Sequence, residues 1–518
     1  MSSGPMFDPL RIAGAAPYVV AAAVAAPIGF VLANLAEPVG ALHHVWTTTG
    51  PHYLAGTLFL CASVAVCASA FGAGAAALIA LADFPGRRIL SIGLALPLAM
   101  PAYVSAYAYG DLFGPFGGLA MLFGAGQVPP IRSGAGAALV LAFAVAPYVY
   151  LAMRASLASR SAAYFEAART LGASPVAAFR RVLLPVGRAA FAGGLALALM
   201  ETIADYGVAE YFGVPTLGVG VVRTWRGLGD LVAASQLASG LFLLALLLVL
   251  LEAAARRGSG AESARAQRGA MRFRLSAWSS LAAIAFCAIP VVFGFAAPAL
   301  ILVAKLLQGS GGAVALIEAA LNTALASGLG CAVVLALALA LAANPPRNPW
   351  ARAALTVATL GYALPGVVIA VGVLGAAAAL GEGLEFVPAA FPALIYAYVT
   401  RFLTAAHNSI EGGLAQIHPL TEDAARTLGA SPLVAAARVR WLLARPAIAA
   451  GALIVLIDIA RELPATLILR PFDFETLATR VYRLASDERL AEAAPAALAL
   501  VALSLIPAIL LERVAKRD

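Results

Sequence analysis

The chain has 518 residues, of which 12% are charged and 62% are hydrophobic, and its mean hydropathy is +0.92. An ordinary soluble domain carries about 25% charged residues, so this composition excludes a soluble globular enzyme, a disordered chain and a collagen-like fibre. The formal net charge of +8 is typical of cationic loops held at the cytoplasmic side of a membrane, and we expect no nucleic-acid partner. Composition therefore predicts an integral membrane protein in contact with the lipid bilayer.

Apolar runs long enough to cross a bilayer recur along the whole chain. A helix needs about 20 apolar residues to span the hydrocarbon core, and about twelve runs qualify. They cover residues 12–36, 54–82, 90–109, 134–153, 189–209, 231–251, 277–304, 313–343, 353–380, 387–403, 447–467 and 491–511. We therefore predict an all-α polytopic membrane protein with about twelve transmembrane helices.

The basic residues indicate the orientation of these spans. When the N-terminus is placed inside, most of the 34 Lys and Arg residues fall in inner segments, Arg401 among them. Cytoplasmic loops carry an excess of Lys and Arg. The distribution therefore predicts that both the N-terminus and the C-terminus are cytoplasmic.

An internal repeat divides the chain into two parts. The sequence RTLGASP occupies residues 169–175 and again residues 426–432, and the alignment continues without a gap from Arg188 and Arg445 onwards. The chain is therefore predicted to consist of two homologous six-helix halves, residues 1–251 and 275–518, joined by a hydrophilic cytoplasmic linker at 252–274. The two copies of the repeated loop lie on the same side of the membrane, because six spans separate them.

The repeated loop predicts two short helices joined by a sharp turn. In the first copy Gly172 suits the left-handed residue that ends a helix, Ser174 suits an N-cap, and Pro175 suits a first helical position. Gly429, Ser431 and Pro432 repeat this pattern in the second copy. Two such exposed elements favour docking onto a symmetric partner, while a pair of amphipathic helices lying on anionic lipid is the alternative.

Several charges fall at matching places inside the predicted spans. The span after each repeated loop carries them, and they are Glu201, Asp205, Asp458, Arg461 and Glu462. Ionisable residues within a membrane mark functional or paired positions. Two roles stay open, lining of a translocation path or gate, and structural ion pairing.

Four arginines occupy equivalent outer positions in the two halves, namely Arg223, Arg226, Arg480 and Arg483. They are candidates for docking a binding protein, and solvated loop charges are an equal alternative. No metal site is predicted, because the outer cluster of His43, His44 and His52 has no carboxylate or Cys beside it to complete a ligand set. No cofactor is predicted either.

The residues of the repeated loop resemble the EAA motif of ABC importer permeases. In the first copy the matching residues are Glu166-Ala167-Ala168, Gly172, Val182, Leu184 and Pro185. In the second copy they are Asp423-Ala424-Ala425, Gly429 and Val439, and Trp441-Leu442 stands where the motif has Leu-Pro. The resemblance implies a type I ABC importer permease fold. It also implies coupling loops at residues 164–185 and 421–443, which dock on an ABC ATPase dimer at the cytoplasmic face. The coupling residues it indicates are Glu166, Ala167, Ala168, Gly172, Ser174, Pro175, Asp423, Ala424, Ala425, Gly429, Ser431 and Pro432.

The fused two-half arrangement resembles ferric-iron importer permeases in particular, on segments such as Pro97–Tyr103, Glu201–Gly207 and Arg461–Thr466. This implies a bacterial inner-membrane protein that receives ferric iron from a periplasmic binding protein. Thiamine, phosphonate and polyamine permeases share the layout and stay as alternatives. A twelve-helix secondary transporter driven by an ion gradient is a further alternative. Lys305 and Lys516, which are the lysines of the chain, do not follow a glycine-rich phosphate-binding loop, so we expect no ATPase site and no enzymatic activity of its own.

Overall fold

The computed structural model describes residues 9–37, 40–124, 126–174, 177, 184–256, 273–309, 313–346, 348–379 and 391–515. These residues are mainly helical, which confirms the predicted all-α class. Two short strands, β1 (Ala82–Asp83) and β2 (Phe273–Arg274), pair in parallel. Residues 257–272 of the predicted linker lie outside the described residues, as do residues 175, 176 and 178–183 of the first predicted coupling loop.

The helices follow the two predicted halves in chain order. Those of the first half are α1 (Pro9–Ala33), α2 (Gly40–Thr48), α3 (Gly50–Leu81), α4 (Arg87–Gly93), α5 (Ala102–Leu112), α6 (Gly118–Phe123), α7 (Gly134–Thr170), α8 (Leu184–Ala204), α9 (Gly207–Tyr211), α10 (Leu217–Leu228) and α11 (Leu231–Arg256). Those of the second half are α12 (Ala277–Val291), α13 (Ala297–Gln308), α14 (Ala313–Ala343), α15 (Pro349–Ala358), α16 (Gly366–Ala379), α17 (Phe391–Ala415), α18 (Pro419–Thr427), α19 (Pro432–Ala435), α20 (Trp441–Leu443), α21 (Arg445–Ala460), α22 (Pro464–Leu469), α23 (Leu477–Ser486) and α24 (Leu490–Ala515). Short 3₁₀ segments cover Asn34–Ala36, Leu96–Ala99 and Gly361–Ala363, and π-helical turns cover Val292–Ala296 and Ala436–Arg440.

Six helices of the described chain are long and apolar enough to cross a membrane, and the number rises to eight when each of two bent pairs is taken as one span. The six correspond to α1, α3, α7, α11, the run from α12 to α13, and α14. The other four predicted spans correspond to α8 with α9, to α17, to α21 with α22, and to α24. Each of these four spans is interrupted by a break in the helix, carries a buried charge, or has an apolar stretch within the described residues that is shorter than those of the other spans.

Two predicted spans are sharply bent rather than straight. The axes of α4 with its 3₁₀ extension and of α5 meet at 91°, and those of α15 and α16 with the intervening 3₁₀ turn meet at 115°. Pro101 and Pro365 stand at the two bends. Proline has no backbone N–H and restricts the residue before it, so a helix ends there. The two bends occupy the same place in the repeat.

Two compact packing units draw on both halves of the sequence. Unit 1 comprises Met1–Pro38, Leu231–Ser239 and Val314–Thr479. Within it, α1 packs along α15 and α16, because Gly372 and Gly375 leave room for the backbone of Pro27 and the ring of Phe30. The hydroxyl of Tyr396 donates a hydrogen bond to the carbonyl of Ala23 and fixes α1 further.

Unit 2 comprises Val39–Asp230, Gly240–Ala313 and Arg480–Asp518. Its centre is the packing of α3 against α7 and of α7 against α8. Gly72 of α3 and Gly194 of α8 meet the backbone of α7, where a side chain would not fit. Close approach through small residues is the usual way in which helices associate in a membrane.

A threonine anchors the short amphipathic helix of each half in the same manner. In unit 2, the hydroxyl of Thr57 accepts a hydrogen bond of 2.9 Å from the backbone N–H of Leu217, which begins α10. In unit 1, the hydroxyl of Thr323 accepts one of 2.8 Å from the N–H of Leu477, which begins α23. Each hydroxyl also donates to the carbonyl four residues before it. The repeat that is visible in the sequence is therefore also present in buried hydrogen bonds.

Candidate functional site

The first repeated loop contains the predicted turn. Helix α7 ends at Thr170, and Gly172 adopts a left-handed conformation with φ of +85°. The N–H of Ala173 donates to the carbonyl of Ala168 at 3.0 Å, which is the long hydrogen bond of a Schellman helix end. The hydroxyl of Ser174 then accepts from the N–H of Ala177 at 3.2 Å. The roles predicted for Gly172 and Ser174 in the turn are confirmed.

The second loop repeats this geometry. Gly429 has φ of +91°, and the N–H of Ala430 donates to the carbonyl of Ala425 at 3.1 Å. The hydroxyl of Ser431 accepts from the N–H of Val434 at 3.4 Å, and α19 begins at Pro432. The two turns are therefore built alike, from equivalent residues.

A leucine stands almost fully exposed at the tip of each turn. Leu171 is 87% exposed and Leu428 is 89% exposed, and they are equivalent positions of the repeat. Each directly precedes the left-handed glycine, so the turn itself projects the side chain outward. An exposed leucine is ordinary alone, but two at equivalent turns are a recurrent surface feature.

Some predicted coupling residues are only partly covered by the structure. Pro175 lies outside the described residues, and the side chains of Glu166, Ala167 and Pro432 lie outside the described side chains. Among the others, Asp423 is exposed and its carboxylate lies 3.9 Å from the guanidinium of Arg426. Ala424 is exposed, whereas Ala168 and Ala425 are half-buried.

The two loops differ in how the chain enters them. In the first, α7 continues without a break from its apolar stretch to Thr170, 37 residues in all. In the second, α17 ends at Ala415 and α18 starts separately at Pro419, where the His418 side chain caps the new helix. Pro419 accounts for the difference, because it cannot continue the hydrogen bonding of a preceding helix.

Three short helical segments follow the second turn before α21 begins at Arg445. They are α19 (Pro432–Ala435), the π-helical turn Ala436–Arg440 and α20 (Trp441–Leu443). The Trp441-Leu442 pair that replaces Leu-Pro thus permits a nearly continuous helical path. The equivalent stretch of the first copy lies largely outside the described residues.

Glu462 caps a helix inside the apolar region of unit 1. Its carboxylate accepts hydrogen bonds from the N–H groups of Ala465 at 2.9 Å and Thr466 at 2.8 Å, and from the Thr466 hydroxyl at 2.7 Å. These groups belong to the first turn of α22, which starts after the break that follows α21. Glu462 is 5% exposed. It therefore satisfies backbone donors that the break would otherwise leave unpaired in an apolar environment.

Asp205 performs the same task in unit 2. Its carboxylate accepts from the N–H groups of Val208 and Ala209, both at 3.1 Å. These groups begin α9, after the break that ends α8 at Ala204. Asp205 and Glu462 are equivalent positions of the repeat, and each caps the second limb of a broken helix. The geometry gives both of them a structural function.

Of the remaining predicted intramembrane charges, Asp458 is 7% exposed and forms an ion pair with Arg461 one turn along the chain. Glu201 is half-buried in the last turn of α8.

Arg401 is a buried charge beside Glu462, and it was not predicted from the sequence as a site residue. The count of basic residues places it among the cytoplasmic charges, but it lies within α17 with a side chain only 14% exposed. Its guanidinium is 3.4 Å from the carboxylate of Glu462. Gly366, at the start of α16, faces both groups, and a side chain there would collide with them. A charge in the middle of an otherwise apolar stretch was the signal that marked it in the sequence.

The outer arginines differ in exposure. Arg223, Arg226 and Arg483 are exposed, and Arg223 lies 3.3 Å from the carboxylate of Glu210. Arg480 is only 8% exposed, so its side chain does not present a charge to a docking partner. The buried position follows from the packed face of α23, on which Val481, Leu484 and Ala485 are also buried.

Comparison with known proteins agrees with this architecture. The family described as a binding-protein-dependent transport system inner membrane component matches residues 68–257. The chain is 24% identical to the Fe(3+)-transport system permease protein FbpB 2 of Haemophilus influenzae, over 89% of this chain and 90% of the relative. It is 30% identical to the sulfate transport system permease protein CysT of Salmonella typhimurium, over 25% of this chain and 46% of the relative. It is 32% identical to the sulfate permease CysW of Escherichia coli, over 35% of this chain and 58% of the relative.

The chain is therefore similar to ABC importer permeases, and its apolar helices fit a multi-pass membrane protein of that kind. Among such proteins it resembles the fused two-half permeases of ferric-iron transport, with which its similarity extends over most of both chains. Proteins of this kind are transport subunits rather than enzymes, and they generally pair with an ATPase and a binding protein.

Proposed function

We propose that this chain is the membrane-spanning subunit of a ferric-iron importer and that a separate ABC ATPase dimer drives it from the cytoplasmic face. The observation that carries the proposal is the pair of equivalent turns, each with a left-handed glycine and an exposed leucine. Residues 1–251 and 275–518 are the two permease halves in this proposal, and 252–274 link them. Both chain termini are then cytoplasmic, in a bacterial inner membrane.

The exposed leucines of the two turns suit burial in apolar pockets on a partner protein. Leu171 and Leu428 are exposed apolar anchors held in place by Schellman hydrogen bonds. Burial of a leucine side chain contributes about 1.5–3 kcal/mol, and a few anchors of this kind carry most of the energy of an interface. The exposed Asp423 and Arg426 add a polar rim beside the second anchor. Motion of the ATPase subunits would then reach the permease halves through α7 and α18.

The predicted outer side suits a periplasmic binding protein that delivers the cargo. Arg223, Arg226 and Arg483 present three exposed positive charges there on two amphipathic helices, α10 and α23. Complementary carboxylates on a binding protein would be attracted to them. Arg480 is excluded from this surface by its burial.

Ferric iron is the proposed cargo because the similarity to an Fe(3+) permease extends over 89% of this chain. Sulfate permeases match shorter parts of the chain, and a sulfate-type oxyanion is the second candidate cargo. Thiamine, phosphonate and polyamine remain alternatives from the shared layout. A proton-driven or sodium-driven transporter is disfavoured, because the carboxylates of Asp205 and Glu462 are engaged as helix caps rather than arranged as a relay.

The test is substitution of both tips, Leu171→Asp together with Leu428→Asp. We expect the variant to insert in the membrane normally, but to lose co-purification with its cognate ABC ATPase and to lose uptake of radiolabelled ferric iron. Phe472→Asp is the matched control, because Phe472 is 92% exposed and lies far from both turns in the sequence. Unchanged ATPase binding by the double variant would contradict the proposal.

A further inference from the structure

Aromatic side chains converge in unit 2 where two broken helices meet. Helix α5 follows the bend at Pro101 and contributes Tyr103 and Tyr107, while Tyr206 directly precedes α9 and Tyr211 is the last residue of α9. Tyr482 of α23 completes the group, which we call the tyrosine cluster. Gly110 of α5 has no side chain, and the ring of Tyr211 occupies the space beside it. Close contact between α5 and α9 therefore depends on that glycine.

The cluster is tightly connected and largely hidden from solvent. The ring of Tyr107 lies 5.9 Å from that of Tyr103 and 4.7 Å, edge to face, from that of Tyr211. The hydroxyls of Tyr206 and Tyr482 are 3.3 Å apart. The hydroxyl of Tyr211 accepts a hydrogen bond of 2.9 Å from the guanidinium of Arg132, which borders the cluster. Several phenolic oxygens thus share one small region.

The hydroxyl of Tyr107 has a property that packing alone does not explain. Tyr107 is 1% exposed, and its hydroxyl is buried with no hydrogen-bond partner among the described residues. A buried polar group without a partner is costly, and native proteins retain few of them. Phenylalanine would fill the same space without that cost. The oxygen is therefore free to bind a partner that the described residues do not supply.

The internal repeat provides a comparison within the same molecule. The second half has the same bend at Pro365, and the residues that follow it in α16 at the places of Tyr103 and Tyr107 are Val367 and Val371. Both valines are buried. Leu463 and Ile468 likewise stand at the places of Tyr206 and Tyr211. Aliphatic residues thus satisfy this architecture, and the tyrosines of the first half serve something other than the fold.

Broken helices within a membrane are tolerated where they are buried in protein or line a passage, and they commonly form cargo sites. Phenolic and carboxylate oxygens are hard ligands that favour hard, highly charged cations. Resting on the proposed function, we propose that the tyrosine cluster, with Tyr107 at its centre, binds the cargo as a hard trivalent cation on its way through the membrane. On coordination, the phenol oxygen of Tyr107 forms a bond to the cation, and its proton leaves to solvent.

The experiment uses the purified full-length chain in lipid nanodiscs, without ATPase, titrated with ferric nitrilotriacetate. Coordination of ferric ion by a phenolate produces a visible charge-transfer absorption, and we expect a saturable band of this kind. Tyr107→Phe should weaken the binding that gives the band by about tenfold or more, the change that one lost interaction of ordinary strength produces. Tyr109→Phe is the matched control, because Tyr109 lies on the same helix and its hydroxyl already donates to the carbonyl of Phe293.

Three results would overturn the proposal. They are no band in the wild-type chain, an equal band in the Tyr107→Phe variant, or sulfate rather than ferric ion as the species that binds and depends on Tyr107. Because the assay contains no ATPase, it does not depend on the coupling turns. A failure of the leucine-tip test would leave the ferric titration unaffected, so the two proposals fail independently.

Discussion

The carboxylate of Glu462 lies 3.4 Å from the guanidinium of Arg401, and the two side chains are only 2% and 14% exposed. The pair joins α17 to the break between α21 and α22, and the two residues are about 60 positions apart in the sequence. Glu462 also accepts three hydrogen bonds from the first turn of α22. One carboxylate therefore stabilises a helix break and compensates a buried cation at the same time.

Removal of this carboxylate should be strongly destabilising. Glu462→Ala leaves Arg401 buried without its partner, and the loss of one member of a buried pair costs about 3–5 kcal/mol. We expect a large fall in the thermal unfolding temperature of the detergent-solubilised chain. Arg401→Met should cost a similar amount alone, while the double variant Glu462→Ala with Arg401→Met should cost less than the sum of the two single changes. Additive effects would show that the two groups do not interact.

The threonine anchors lead to a second prediction. Thr57→Val and Thr323→Val keep the shape of the side chain but leave the buried N–H of Leu217 or Leu477 without an acceptor. An unsatisfied buried donor costs about 1–3 kcal/mol, and the two variants should lose similar stability because the two anchors have the same geometry. Thr202→Val is the control, since the Thr202 hydroxyl donates to the carbonyl of Ala198 in its own helix, and its loss leaves no N–H group without an acceptor. Thermal unfolding of the three variants gives the measurement, and a loss as large in Thr202→Val would contradict the argument.

The parts of the molecule that could be predicted from sequence obey local rules. The turns at Gly172 and Gly429 were predictable because a left-handed residue favours glycine and a helix start favours serine. The break at Pro365 could have been read from the same kind of rule, but a long apolar run suggested a straight span instead. A window average of hydropathy is insensitive to one proline.

The ion pair of Arg401 with Glu462 could not be predicted, because it depends on how distant helices pack. Sequence assigns Arg401 to a cytoplasmic loop by its charge, whereas the fold provides a buried carboxylate as its partner. The tyrosine cluster is similar, since its members come from three separate segments. Only a comparison of the two halves indicates the cluster in the sequence. Tyr107 and Val371 occupy equivalent places, but tyrosine carries a hydroxyl group and valine has no polar atom in its side chain.

The left-handed glycines of the turns give a third prediction. Among the described residues, no atom lies within 4 Å of a Cβ placed on Gly172 or Gly429, so a substitution there acts chiefly on the backbone. Gly429→Val should disfavour the φ of +91° by about 1–2 kcal/mol and disturb the presentation of Leu428. We expect reduced ATPase binding with little change in global stability. Gly429→Asn should retain most of the binding, because asparagine tolerates this conformation, and equal losses in both variants would contradict a backbone effect.

The exposed arginines of the amphipathic helices give the last prediction. Arg223→Glu together with Arg226→Glu reverses two charges on α10, and we expect slower association with the binding protein and a weaker dependence of that association on salt. Electrostatic attraction chiefly sets the association rate and is screened within about 8 Å at physiological ionic strength. Surface plasmon resonance with nanodisc-embedded protein, at two salt concentrations, measures both effects. Arg88→Glu together with Arg352→Glu is the matched control, because it reverses two exposed arginines that the predicted topology places on the cytoplasmic side. An equal reduction in both variants would indicate a general effect of net charge and would refute a docking surface on α10.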